Sequence, residues 1–282
     1  TRQNMLPMTT YTSGNRIKAI NSSTVLVTYS VSNYAHACVC AISGNTLTPG
    51  TDTQITTQSY SGTVYGIDIV NSSTALITYV VNGAPNVVVA SISGTTITPG
   101  TPLQIAASGS TPSTALLSSD TYVVTYGRGT GAREYAYIRV GSISGGTITL
   151  GQEVQLLSSS YSGDVLRMIK MDSTSIFLIY RLYESNSSSN LNGVLCTIET
   201  GNVRIMRDDT ILIGQYSGFV PFRINDEVAI ITKHSFTNNT AFICRSSIVN
   251  AAIESQEKID GVATSTATYS TAGDIWVLNQ GS

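Results

Sequence analysis

Apolar and polar positions along this chain group in short runs, and no long stretch has the apolar spacing of a helix. The runs are rich in Val, Ile, Thr and Tyr. They are bounded by Asn, Ser and Gly, which is the strand-and-turn signature. One run recurs. Asn21-Ser-Ser-Thr-Val-Leu-Val-Thr-Tyr29 returns as Asn71-Ser-Ser-Thr-Ala-Leu-Ile-Thr-Tyr79, and weaker copies end at Tyr126, Tyr180 and Lys233. The spacings between these end residues are 50, 47, 54 and 53. A second run keeps step with the first. Ile42-Ser-Gly-Asn-Thr-Leu-Thr-Pro-Gly50 matches Ile92-Ser-Gly-Thr-Thr-Ile-Thr-Pro-Gly100 and Ile143-Ser-Gly-Gly-Thr-Ile-Thr-Leu-Gly151.

Each repeat reads as four antiparallel strands, at 66–70, 74–80, 87–92 and within 96–105 in the second copy. Four strands every fifty residues or so is the pattern of a β-propeller blade. The expected fold is therefore all-β, a propeller of four-stranded antiparallel blades. Five blades are expected, near 15–62, 63–112, 113–163, 164–218 and 219–252, with six as the alternative. The segment 5–14 resembles 54–62, so an N-terminal outer strand, 3–12, is expected to close the last blade. Residues 253–282 are expected to form a hairpin module outside the ring.

Composition narrows the function. Charged residues make up 11% of the 282, and the formal net charge is −2. Ser and Thr supply about a quarter of the chain. No basic surplus exists to neutralise phosphates, so nucleic acid is not an expected partner. No apolar run reaches the roughly 18 residues of a membrane helix, so membrane insertion is not expected. Residue 1 is Thr and no signal-peptide pattern follows, which reads as a processed chain or a fragment. Two His cannot support a His-rich metal site, and no Asp-rich calcium loop occurs. Neither metal nor cofactor is expected.

Cys40, Cys196 and Cys244 share one repeat position, where Ala90 and Gly141 stand in the other copies. That column wants a small residue, and four free thiols are expected. Asp120, Asp172 and Asp226 share the turn position of Asn21 and Asn71, where a side chain bonds its own backbone. Glycosidase chemistry needs two carboxylates on inner strands. Asp68 and Asp164 are the one pair to nominate, so no catalytic residue is expected. Arg16, Lys18, Arg167, Lys170 and Arg223 lie on or near inner strands and would make an axial channel mildly basic.

Ligand contact is expected on one rim, where the connections between second and third strands differ most: 32–36, 82–86, 128–134, 182–193 and 235–239. Candidates there are Tyr34, His36, Arg128, Arg133 and Tyr183. The links between blades repeat an aromatic, Tyr11, Tyr60, Tyr161 and Tyr216, each followed by a small pair ending in Gly. A Tyr offers an apolar face to a sugar ring and a hydroxyl for hydrogen bonds. The competing expectation is that these Tyr wedge between blades.

The chain's end carries a resemblance. Lys258-Ile-Asp-Gly-Val-Ala263 and Thr271-Ala-Gly-Asp-Ile-Trp-Val277 resemble a short β module near the ends of many bacteriophage virion and tail proteins. The Ile-Ser-Gly-x-Thr-Ile-Thr-x-Gly repeats look like those of phage tail-fibre and tail-tip propellers. The resemblance implies a non-enzymatic virion tail protein for host-surface recognition or tail assembly. Its implied partners are a host cell-surface glycan or protein and other tail subunits, in multiple copies. The alternatives are a lectin-like or scaffold propeller, secreted or extracellular, and a glycan-cleaving propeller enzyme.

Overall fold

A computed structural model describes residues 15–57, 63–130, 133–156, 162–185, 188–199, 201–213, 219–223, 228–234, 239–245, 265–268 and 275–279. They are strands and turns, with no helix among the described residues. Five antiparallel sheets follow one another along the chain, arranged like propeller blades.

The first sheet is β1 (Arg16–Asn21), β2 (Thr24–Val31), β3 (Tyr34–Ser43), β4 (Thr46–Pro49) and β5 (Thr53–Gln54). The second is β6 (Thr63–Asn71), β7 (Thr74–Val81), β8 (Ala84–Ser93), β9 (Thr96–Pro99) and β10 (Leu103–Gln104). The third is β11 (Ser110–Leu116), β12 (Thr121–Thr130), β13 (Arg133–Ser144), β14 (Thr147–Leu150) and β15 (Val154–Gln155). The fourth is β16 (Ser162–Lys170), β17 (Ser175–Ser185), β18 (Ser188–Glu199) and β19 (Asn202–Ile213). The fifth is β20 (Phe219–Arg223), β21 (Val228–His234), β22 (Asn239–Arg245), β23 (Ser265–Thr268) and β24 (Ile275–Asn279).

In the first three sheets the fourth strand is broken in two. The breaks fall at Gly50, Gly100 and Gly151, whose N–H groups donate to Val39, Val89 and Val140 O at 2.9, 2.8 and 2.7 Å. A Cβ on Gly50 would collide with the backbone carbonyl of Thr95, in the hairpin turn of the next blade. Close approach of backbone is a reason for Gly in a strand.

The turns follow from their residues. Asn21 and Asn71 Oδ1 accept from Ser23 and Ser73 N–H at 2.8 and 2.9 Å, and Asp172 Oδ1 accepts from Thr174 N–H at 2.6 Å. Asp120 Oδ1 instead accepts from the Ser118 and Thr121 hydroxyls, at 2.6 and 3.0 Å. Asp226 lies outside the described residues.

The core lies between sheets. Leu26, Val39 and Ile55 of the first pack with Ile77, Val88 and Ile97 of the second. Leu76, Val87 and Ile105 of the second pack with Tyr122, Val124 and Tyr126 of the third. Ile138 and Leu156 of the third pack with Ile176, Leu178 and Val194 of the fourth. Successive residues of β7 thus face opposite neighbours. A strand buried on both faces reads as a continuous apolar run.

Two observations bear on the expected layout. The fourth strand of the fifth sheet is β24, which pairs with β22 from Thr240–Asn279 to Cys244–Ile275. It comes from the tail expected to stand apart, and β23 pairs with it. Residues 3–12, expected to fill that place, lie outside the described residues. In the first four blades the described residues of the supposed rim loops are also mostly strand. β2 meets β3 through Ser32 and Asn33, at φ of 50° and 70°, and β7 meets β8 through Asn82 and Gly83, at 52° and 70°. Two residues at positive φ make the tight hairpin turn that suits strand twist. Pairing in the third blade continues out to Thr130–Arg133, and in the fourth to Ser185–Ser188.

Candidate functional site

In the first three blades the repeat places one Tyr near the rim end of the second strand: Tyr29, Tyr79 and Tyr126. All three are buried. Across the hairpin they pair with His36, Asn86 and Tyr137. Two residues beyond the Gly break stand Asp52, Pro102 and Glu153. The three blades treat this arrangement differently.

In the first blade, Tyr29 Oη donates to Asp52 Oδ1 at 2.6 Å. His36 Nδ1 lies 3.0 Å from the same oxygen, and its ring stacks on Tyr29 with centroids 6.0 Å apart. In the third, Tyr126 donates to Glu153 Oε2. Arg128 Nη1 pairs with Glu153 Oε1 at 2.9 Å, and Arg128 Cζ lies 4.5 Å from the centroid of the Tyr137 ring. Tyr137 stacks on Tyr126 at 5.9 Å. Burial, then the bonded carboxylate, raises both the Tyr29 and Tyr126 hydroxyls above the ordinary tyrosine range.

The second blade has the Tyr without the acid or the cation. Pro102 takes the carboxylate's place, Val81 the place of Arg128, and Asn86 that of His36. A cavity of about 280 Å³ opens there, between the first and second blades. Tyr79, Val81, Asn86, Pro102 and Gln104 line it from the second blade, with the turn residues Asn82 and Ala84; Thr56 and Thr57 close the first-blade side. Thr56 is buried, and its hydroxyl accepts from Ala35 N–H at 3.0 Å. Burial pushes the Tyr79 hydroxyl up to about 12, so it stays a donor at any ordinary pH. Among the described residues, no charged side chain lines the cavity.

Of the residues expected to contact ligand, His36 and Arg128 occupy rim stations in different blades, and neither lines this cavity. Each is held by its own blade's carboxylate. Tyr34 opens β3, half-buried beside the turn. Arg133 opens β13, and Tyr183 pairs with Ser189 on the fourth blade; their side chains lie outside the described residues, as do Tyr11, Tyr60, Tyr161 and Tyr216. The expected rim included 82–86, and with it Asn86, but the expectation missed Tyr79 and Pro102. Aligning the residues two beyond each break Gly would have shown Pro102 as the odd member.

The charged groups of the inner strands reach across to the neighbouring blade. Lys18 Nζ lies 3.6 Å from Asp68 Oδ1, with the Asp68 side chain 14% exposed. Burial raises the Asp68 carboxyl above its usual range, opposed by Lys18 and by the Thr114 hydroxyl. Lys170 Nζ donates to Leu117 O, and Arg16 Nε to Tyr65 O at 3.1 Å. The Asp164, Arg167 and Arg223 side chains lie outside the described residues. Cys38, Cys40 and Cys196 are buried free thiols, and burial pushes Cys38 up to about 11. Among the described residues, no three His, Cys, Asp or Glu gather as a metal-holding group.

No family model matches the chain, and no curated protein matches it. Solved structures do. A protein from Lactobacillus plantarum is 11% identical with a TM-score of 0.45, over 83% of this chain and 81% of that one. A "putative 6-phosphogluconolactonase" from Bacteroides fragilis is 10% identical at 0.41, over 81% and 78%. One so described from Bacteroides uniformis is 12% identical at 0.39, over 80% and 78%. None of the three is described as a phage tail protein, and two carry an enzyme's description. The expected membership among phage tail proteins is therefore withdrawn, and with it the non-enzymatic virion function. At these identities the likeness concerns the fold and brings no activity to this chain.

Proposed function

We propose that the protein binds a neutral, hydroxyl-rich ligand of the sugar class in the cavity between its first and second blades. The observation that carries this is the second blade's exchange of acid and cation for Pro102, Val81 and Asn86. It leaves a charge-free recess lined by a buried Tyr, amide side chains and two Thr hydroxyls. Ligand pockets combine apolar walls with a few placed polar groups, and this one has both. Its volume suits one sugar ring. A charged ligand is disfavoured, because burying a charge without a partner is costly.

The test is ligand-observed NMR with neutral mono- and disaccharides, with a uronate and a sugar phosphate as charged comparisons. Neutral sugars are expected to show contact and the charged ones not. Analysis of each bound sugar after long incubation reports turnover in the same samples. Contact by the charged sugars alone would overturn the reading.

A further inference from the structure

We infer that the cavity takes the acetamido group of an N-acetylated sugar, its carbonyl oxygen replacing the carboxylate that the first and third blades supply for themselves. The inference rests on the sugar-binding reading and names its substrate class.

The first argument comes from comparing blades. Tyr29 donates to Asp52 and Tyr126 to Glu153. Tyr79 is buried at the same strand position, yet Pro102 offers no side-chain acceptor. An acceptor brought by a ligand would restore the bond made twice elsewhere in the ring. A hydroxyl in a recess that the ligand closes gains more from such a bond than one in open water.

The second argument is charge. Each native carboxylate has a basic companion, His36 or Arg128. At those places the second blade has Asn86 and Val81. A ligand carboxylate would sit without a cation, so the acceptor that fits is neutral.

The third argument separates an amide from a plain hydroxyl. Asn86 Nδ2 donates to Ala84 O and Gln104 Nε2 to Ala106 O, both at 2.9 Å. Each amide nitrogen spends one of its two N–H donors in this way, which fixes the amide's orientation and leaves its carbonyl oxygen as an acceptor. The cavity thus combines a hydroxyl donor with amide acceptors, complementary to the C=O and N–H of an acetamide. Val81, Ala84 and Pro102 supply apolar lining for its methyl group. A hydroxyl would use only the polar half of this lining.

The experiment titrates the full chain with the methyl glycosides of N-acetylglucosamine, glucosamine and glucose. It is repeated on Val81→Arg/Pro102→Glu, which writes the third blade's ion pair into the second. The acetamido sugar is expected to bind at least about tenfold more tightly than the other two. The double variant is expected to lose that binding while keeping its circular dichroism. Tyr79→Phe, which removes one oxygen, provides a milder variant and is expected to weaken acetamido binding about tenfold. Equal binding of acetamido and hydroxyl sugars, lost together in the double variant, would overturn this inference and leave the sugar-binding reading intact. Absence of binding by any sugar would sink both. An acetamido preference that survives both Tyr79→Phe and the double variant would remove the cavity from the account.

Discussion

Gly141 is the sharpest place to test how these blades are packed. It pairs directly with Tyr122 across the third blade's hairpin. The matching pairs elsewhere are Val25 with Cys40, Ala75 with Ala90, and Ile176 with Cys196. The largest residue on one strand thus faces the smallest on the other. A Cβ on Gly141 would overlap the Tyr122 ring at Cζ and Cε1, where ordinary carbon contacts are about 3.5–4.0 Å. The ring would have to move by more than an ångström. It is fully buried, and its hydroxyl donates to Thr149 O at 3.3 Å. Overpacking costs about 1–3 kcal/mol, and losing that hydrogen bond about 1 more. Gly141→Ala is therefore expected to destabilise the fold by roughly 2–4 kcal/mol. Urea denaturation read by circular dichroism measures it. Tyr122→Val, which copies the first blade's Val25, is costly alone because it leaves a cavity. Combined with Gly141→Ala it should cost less than the two singles added, by about 1–3 kcal/mol of coupling. A Gly141→Ala protein within about 0.5 kcal/mol of the parent would refute the reasoning.

Other consequences can be measured alongside. Asp68 has a raised carboxyl, so the folded state holds its proton after the unfolded chain has lost it. Stability should then fall as pH rises from the ordinary carboxylate value through the raised one. Asp68→Asn should remove that fall, with the two proteins alike below the ordinary value and the variant more stable at neutral pH; parallel stability–pH curves would rule the effect out. Native protein should react slowly with a thiol reagent at Cys38, Cys40 and Cys196, which are buried, and quickly once unfolded. Fast native labelling at these sites, located by mass spectrometry, would contradict the packing. Sugar affinity should be flat between about pH 5 and 10, since Tyr79, pushed up to about 12, is the one titratable group among the described residues that line the cavity. A titration at several pH values that shows a step inside that window would point to a charged site elsewhere. Asn71→Ala loses the bonds to Ser73 and should destabilise by about 0.5–2 kcal/mol, the scale of a lost helix cap, as measured by thermal unfolding.

The tail resemblance misled because its residues describe turns. Gly-Val-Ala and Ala-Gly-Asp are short hairpin chemistry, available to any sheet that needs an added strand. β24 meets that need by covering β22. The rim was misjudged for a related reason. Asn82-Gly83 is a two-residue hairpin turn, and reading 82–86 as a loop took the outermost strand pairs for irregular chain.

The repeat by itself determined the propeller. Strand order, turn positions and the small-residue column are local, and the same run written several times leaves little choice of register. The Tyr at the end of the second strand in the first four copies was equally visible. What each Tyr meets was decided by the tertiary structure. Tyr79 and Pro102 are 23 positions apart, and Thr56 belongs to the preceding blade. Only the broken fourth strand and the packing of one sheet on the next bring them together. A cavity is a deficit of volume where elements converge, and residue pattern along one strand does not record it.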